Sequence, residues 1–163
     1  MSRLLQKIVM KQLAMRILLI HVLVLFVLLA SSSMNAQSTE NKGNLRVVVT
    51  NMRSQKGQIG FSLYNNKEGF PHPEKALITS FIIVNGNATE FIFTNIEFGT
   101  YAVSVFHDEN DDKVLNSNFL GIPTEGVGVS NNAKGSFGPP KFNDAKFEFN
   151  KSEQTMTISL SYL

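Results

Sequence analysis

From Leu45 onward, apolar residues recur at every second position, and that period constrains the fold more than any other feature of the chain. Leu45, Val47 and Val49 alternate with Arg46, Val48 and Thr50; Ile59, Phe61 and Leu63 alternate with Gly60, Ser62 and Tyr64. Near the C-terminus Met156, Ile158, Leu160 and Tyr162 alternate with Thr155, Thr157, Ser159 and Ser161. Side chains of a strand point to opposite faces in turn, so this spacing describes β-strands that each bury one face.

Turn residues divide the chain into seven such segments. Ser54-Gln55-Lys56-Gly57 joins the first two into an expected hairpin. After a proline-containing loop, Asn65 to Lys75, the turn Asn85-Gly86-Asn87 joins Ile78–Val84 to Glu90–Thr94 in a second one. Gly99 then stands two residues before Tyr101 in a strand where Tyr101, Val103 and Val105 face one way. That spacing suits a tyrosine corner, in which the phenol bonds back to upstream backbone at a sandwich edge. Ala145–Phe149 and Thr155–Tyr162 close the series, and nothing after residue 36 has helical periodicity. The expected fold is an all-β, seven-stranded antiparallel Greek-key sandwich, immunoglobulin-like or prealbumin-like, with a closed barrel as the alternative. The chain has no Cys, so the core alone must offset the chain entropy. Roughly fifteen large apolar side chains at about 1.5–3 kcal/mol each are enough for that.

Ahead of the strands, Arg3, Lys7, Lys11 and Arg16 precede an unbroken apolar run from Ile17 to Ala30, followed by small polar residues. This is the order of a secretory signal peptide, with cleavage expected after Ala36; a retained anchor is the alternative, although the run is shorter than a spanning helix needs. The expected organisation is a signal peptide over 1–36, a flexible lead-in over 37–44 and one sandwich domain over 45–163. Every acidic residue lies beyond Ala36, so the mature domain carries 11 Lys and Arg against 13 Asp and Glu, or 11 minus 13, a net charge of −2. The basic balance of the whole chain belongs to the leader. No basic patch remains for a phosphate backbone, which argues against nucleic acid as a partner.

The segment from His107 to Phe142 is too long for a simple connection and is where function is expected. Asp108, Asn110 and Asp112 reproduce the oxygen spacing of a D-x-N-x-D calcium loop, with the carbonyl of Val114 at the seventh position and Asn116 at the ninth. Lys113 stands where such a loop has its turn glycine, and Phe119 where it has a bidentate glutamate. A hydrogen-bonded acidic turn without an ion is the competing reading. Phe119, Phe137 and Phe142 punctuate the segment either as a ligand platform or as pins holding it to the sandwich, and Phe70 carries the same ambiguity. His107, Phe119, Glu125, Ser130, Asn131 and Phe137 are the candidate ligand-contacting residues. His107 next to Asp108 could serve as a base, or could be a histidine at the core edge bonded to backbone. No hydrolase motif accompanies the pair.

The elements Phe98-Gly99-Thr100-Tyr101-Ala102-Val103, Phe106-His107-Asp108-Glu109-Asn110, Phe119-Leu120-Gly121-Ile122-Pro123-Thr124-Glu125-Gly126 and Ser130-Asn131-Asn132 resemble those of a family of exported bacterial proteins catalogued as domain of unknown function 2141. That family usually has Gly-Asn-Gly and a later Asp in the acidic loop, where this chain has Asp111-Asp112-Lys113 and Asn116. The resemblance implies the periplasm or cell exterior of a Gram-negative bacterium and no established activity. The Gly99 and Tyr101 segment is also similar to the strand opening of transthyretin-like and carboxypeptidase-regulatory domains.

Three classes of function follow, in order of preference. The first is a non-enzymatic exported module binding a protein or carbohydrate of the cell envelope through the 107–142 loop, with calcium as an ordering ion. The second is a structural or assembly component of the envelope making contact through an exposed sheet edge. The third is a hydrolase centred on His107 and Asp108, which would require a cavity joining them to Glu125.

Overall fold

The computed structural model describes residues 3–31, 41–136 and 138–163. Two units make up the chain, Met1–Thr39 and Glu40–Leu163. In the first, α1 runs from Arg3 to Ser31. Among the described residues, no helix is long and apolar enough to cross a membrane. The expected cleavage point at Ala36 and the lead-in as far as Glu40 lie outside the described residues.

The second unit is mainly β, with eight strands: β1 (Lys42–Thr50), β2 (Gln58–Tyr64), β3 (Ile78–Ile83), β4 (Thr89–Glu97), β5 (Gly99–Asp108), β6 (Gly126–Val129), β7 (Phe147–Phe149) and β8 (Glu153–Ser159). A three-stranded sheet has the order β4-β1-β8, and a five-stranded sheet has the order β3-β2-β5-β6 with β7 also on β5. Alternation explains the sandwich directly. Leu45, Val47 and Val49 of β1, Ile59, Phe61 and Leu63 of β2, Tyr101, Val103 and Val105 of β5, and Ile158 and Leu160 all enter one buried cluster.

Several expectations need correction. There are eight strands, because Gly126–Val129 forms β6 inside the segment read as a loop. The sheet is not wholly antiparallel, since β1 and β8 run parallel with Val47 beside Met156 and Val49 beside Ile158. β1 begins at Lys42, inside the expected lead-in. A short helix, α2 (Phe142–Ala145), precedes β7, where a strand was expected to begin. Neither hairpin forms: β1 pairs with β4 and β8, and β2 pairs with β3 and β5. Period two states only that a strand has a buried face, and two such faces meet equally well side by side or across a core. Residues 51–57 and 84–88 therefore carry the chain from one sheet to the other.

The residues of β2 are buried on both faces. On its outer side the Phe106 ring lies over Gly60, where a Cβ would come within 2.4 Å of a ring carbon. Phe81 meets Phe106 edge-on at 5.9 Å. Farther along, Phe70 sits edge-on to Tyr64 at 5.1 Å, and Phe142 edge-on to Phe70 at 5.8 Å. The loop holding Phe70 and the short helix that begins at Phe142 thus cover the outer face of the larger sheet.

The tyrosine corner is present: the Tyr101 hydroxyl donates to the Glu97 carbonyl at 2.9 Å. Tyr101→Phe keeps the buried ring and removes that one bond, so it should lower stability by about 1 kcal/mol. Urea unfolding would show a reduced midpoint at unchanged slope.

Candidate functional site

Strand β5 delivers His107 and Asp108 to the rim of the larger sheet, and both are completely buried. His107 is held at each nitrogen: Nε2 lies 2.8 Å from the Lys56 carbonyl and Nδ1 lies 2.8 Å from the Tyr162 hydroxyl. A carbonyl can only accept, so Nε2 carries the hydrogen, and in the neutral ring Nδ1 accepts from the phenol. The Tyr162 oxygen in turn accepts the backbone N–H of Arg53 at 3.0 Å. Burial pushes the Tyr162 hydroxyl up, which keeps it a donor. His107 therefore has no solvent-facing edge and no free nitrogen.

The Asp108 carboxylate organises the acidic loop from inside. Its Oδ2 accepts the Gln58 amide and the Lys113 backbone N–H, both at 2.8 Å, and its Oδ1 accepts the Asp112 N–H at 3.1 Å. Asp111 and Lys113 adopt left-handed backbone, φ 61° and 62°, to close this tight loop. Asp112 is exposed, and it accepts the Val114 N–H at 2.8 Å, Asn110 Nδ2 at 2.9 Å and Asn116 Nδ2 at 3.1 Å. The Val114 N–H, then the Asn116 and Asn110 amides, hold its carboxyl below the usual range. Among the described residues, no group of three His, Cys, Asp or Glu is arranged to hold a metal ion.

Glu125 closes the base of the loop, accepting the N–H of Glu109 at 3.1 Å and of Asn116 at 2.9 Å. Burial, aided by the nearby charges of Asp108 and Asp112, pushes its carboxyl up despite those two bonds. Beside it the Arg53 guanidinium pairs with Glu109, reaches the Thr124 carbonyl at 3.2 Å and stacks on the Tyr162 ring at 4.5 Å. Sequence reasoning missed Arg53, Ser54 and Gln58. They lie some 50 residues from their partners along the chain, and no local pattern announces them.

Beyond Asn116 the chain forms a small hairpin with a Ser117–Pro123 bridge. The Asn118 side chain accepts the N–H groups of Leu120 and Ile122 at 2.9 and 3.0 Å, its N–H donates to the Ile122 carbonyl, and its carbonyl accepts Gly121 N–H. Gly121 takes φ +76°, where a side chain would be strained. The tip this builds is apolar and bare: Phe119 is 95% exposed and Leu120 68%, with Val114 and Ile122 also exposed nearby. The aromatic residues therefore divide. Phe142 packs on Phe70 as a pin, while Phe119 touches no core; Phe137 lies outside the described residues.

Ser130 and Asn131 are held in hydrogen bonds to neighbouring backbone. The buried Ser130 hydroxyl donates to the Ala145 carbonyl at 2.6 Å and accepts the Val103 N–H at 3.0 Å. Asn131 donates to the carbonyls of Asp144 and Lys146, and Asn132 accepts the Ser159 N–H. The structure thus brings Asp108, Asn110, Asp112, Asn116 and Glu125 together at one end, and leaves Ser130 and Asn131 at the seam between β5, α2 and β8.

Residues 47–157 match the family model described as "Uncharacterized protein conserved in bacteria (DUF2141)". The chain belongs to this family. The DUF2141 match takes in every β-strand except the first residues of β1 and the last of β8. No curated protein sequence matches the chain. A distant likeness exists to the crystal structure of a fimbrial assembly protein from Parabacteroides distasonis, at 11% identity and a TM-score of 0.44. That alignment covers 75% of this chain and 53% of the other, so the chain spans about half the length of that protein.

The charged groups make acid sensitivity predictable. Arg53, through its hydrogen bond, holds the Glu109 carboxyl below the ordinary value of 4.5. A lowered carboxyl stabilises the fold above that value and loses its contribution as pH falls through the lowered one. Glu125, shifted upward, has the opposite sign: its cost to the fold is relieved as pH falls toward 4.5. Stability should hold or rise slightly down to about pH 4.5 and decline below it. Arg53→Ala should make the decline shallower, as urea midpoints measured across the acid range would show.

Proposed function

We propose that this protein is exported, that its leader is removed, and that the mature domain is a non-enzymatic binding module of the bacterial envelope whose contact element is the 116–124 hairpin. One observation carries the reading: Phe119, 95% exposed, stands at the tip of a hairpin whose backbone is already fixed by Asn118. An aromatic residue offered to water from a pre-organised loop contributes apolar burial to a complex at little ordering cost. The convex tip and its neighbour Leu120 suit an apolar pocket on a partner protein better than a carbohydrate, whose hydroxyls need polar partners in a cleft.

Phe119→Ser should leave the melting temperature unchanged, because the side chain packs on nothing. A photoreactive phenylalanine at the same position, illuminated in intact cells, should give one discrete crosslinked protein. A smear, or a product that forms equally well with the group placed at exposed Ile83, would reject the hairpin as the contact.

A second element of the proposal is calcium at the acidic loop. It is favoured by the convergence of the Asn110 and Asn116 amides on one oxygen of Asp112. Turning both amides over would present three side-chain oxygens to one point, at the third, fifth and ninth positions of the loop. Millimolar calcium should then raise the melting temperature, and Asp112→Ala should abolish the rise. Identical melts in calcium and in chelator would remove the ion from the proposal and leave the hairpin reading untouched.

A further inference from the structure

An asparagine followed by glycine loses its side-chain amide more readily than other asparagines, because glycine has no side chain to obstruct attack by its own backbone nitrogen. The chain has a single such pair, Asn85-Gly86, and no Asp-Gly. Whether the pair reacts depends on the fold. An amide held by hydrogen bonds, or a backbone nitrogen locked in a ladder, does not reach the geometry of attack.

The fold leaves this pair open. Residues 84–88 carry the chain from β3 in the larger sheet to β4 in the smaller, so no hairpin ladder closes on the turn. The crossing is held on either side of the pair. Val84 is buried and its N–H donates to the Gly57 carbonyl at 3.0 Å; farther on, Asn87 Oδ1 accepts from Gln55 Nε2 at 3.5 Å, and Thr89 is buried. Between these anchors Asn85 is exposed. Among the described residues, nothing bonds to its side chain or to the Gly86 N–H. Gly86 has φ +97°, and a Cβ built there would meet nothing within 4 Å, so the linking peptide can rotate without a clash.

Other asparagines lack one or both of these conditions. Asn110 and Asn116 each donate their amide to Asp112, and Asn131 donates to two backbone carbonyls. Asn44 and Asn95 precede the bulky Leu45 and Ile96.

We propose that Asn85 is a site of spontaneous covalent modification, deamidating through a cyclic imide formed with Gly86. The Gly86 nitrogen attacks Asn85 Cγ and forms a C–N bond; the Cγ–Nδ2 bond breaks, and the amide leaves as ammonia with the proton that Gly86 gives up. Solvent water then opens the ring at either carbonyl, leaving aspartate or isoaspartate. No oxidation or reduction is involved. The product puts a carboxylate, and in the isoaspartyl form an added backbone methylene, into the crossing between the two sheets.

The test holds the purified full-length protein folded at mildly alkaline pH for weeks. Samples are read by peptide mass mapping and by labelling with isoaspartyl methyltransferase, which methylates the free α-carboxyl of isoaspartate. The peptide containing Asn85 should show the mass change of amide to acid and accept the label, while those containing Asn110, Asn116 and Asn131 keep their amides. Asn85→Gln retains an exposed amide but must close a larger ring, so conversion at that position should fall at least about tenfold with the melt unchanged. Loss of the Asn85 amide in urea but not in the folded protein would mean that the fold blocks the reaction, and overturns the inference. So does conversion that runs first at another asparagine, or label uptake that is the same in Asn85→Gln.

Discussion

The structure depends on the burial of β5 along almost its whole length, a strand that ends in two polar residues with no access to water. A buried carboxylate costs several kcal/mol unless hydrogen bonds replace its hydration. Asp108 meets that demand with N–H donors from Gln58, Asp112 and Lys113. The last two can reach it only if the chain turns back at once, which sets the left-handed conformations of Asp111 and Lys113. His107 imposes the same demand on the opposite side and draws in the Lys56 carbonyl and the Tyr162 hydroxyl. The acidic loop, the β1–β2 connection and the C-terminal tail therefore converge on the rim of β5 because two buried polar groups there require partners.

That rim in turn supports the exposed hairpin. Glu125 ties Asn116 to Glu109, so the hairpin emerges from a base closed by a buried side chain. Rigidity at the base and exposed apolar groups at the tip are separate properties. The first arises from satisfied polar groups and the second from side chains that contact nothing. Their combination distinguishes Phe119 from Phe70 and Phe142, whose rings meet one another and bury the outer face of the larger sheet.

Much of the sandwich was legible because burial writes a period of two into each strand. Leu45, Val47, Val49, Ile59, Phe61, Leu63, Val103, Val105, Ile158 and Leu160 all occupy the core as the alternation requires. The tyrosine corner was legible because it is local: Gly99, Tyr101 and the Glu97 carbonyl span five residues. The acidic residues of the candidate site were visible as a cluster. Their roles were not, because a carboxylate that binds an ion and one that caps backbone N–H groups have the same spelling. β6 escaped notice since Gly126-Val127-Gly128-Val129 has too little side chain to show a face. Gly128 is needed there because a Cβ would stand 2.7 Å from Ile158.

By itself, then, the order of residues determined which segments extend, which side of each is buried, that the core holds without disulfides, and where a long acidic segment interrupts the pattern. These are properties of short windows, in which neighbouring side chains alternate or turn residues recur. Only the tertiary structure decided that the first two strands lie in different sheets, that β8 runs parallel to β1, that Arg53 and Tyr162 support the acidic loop, and that Phe119 faces water while Phe142 does not. Each of those depends on contacts between residues far apart along the chain, and a period of two is identical for every partner a buried face could meet.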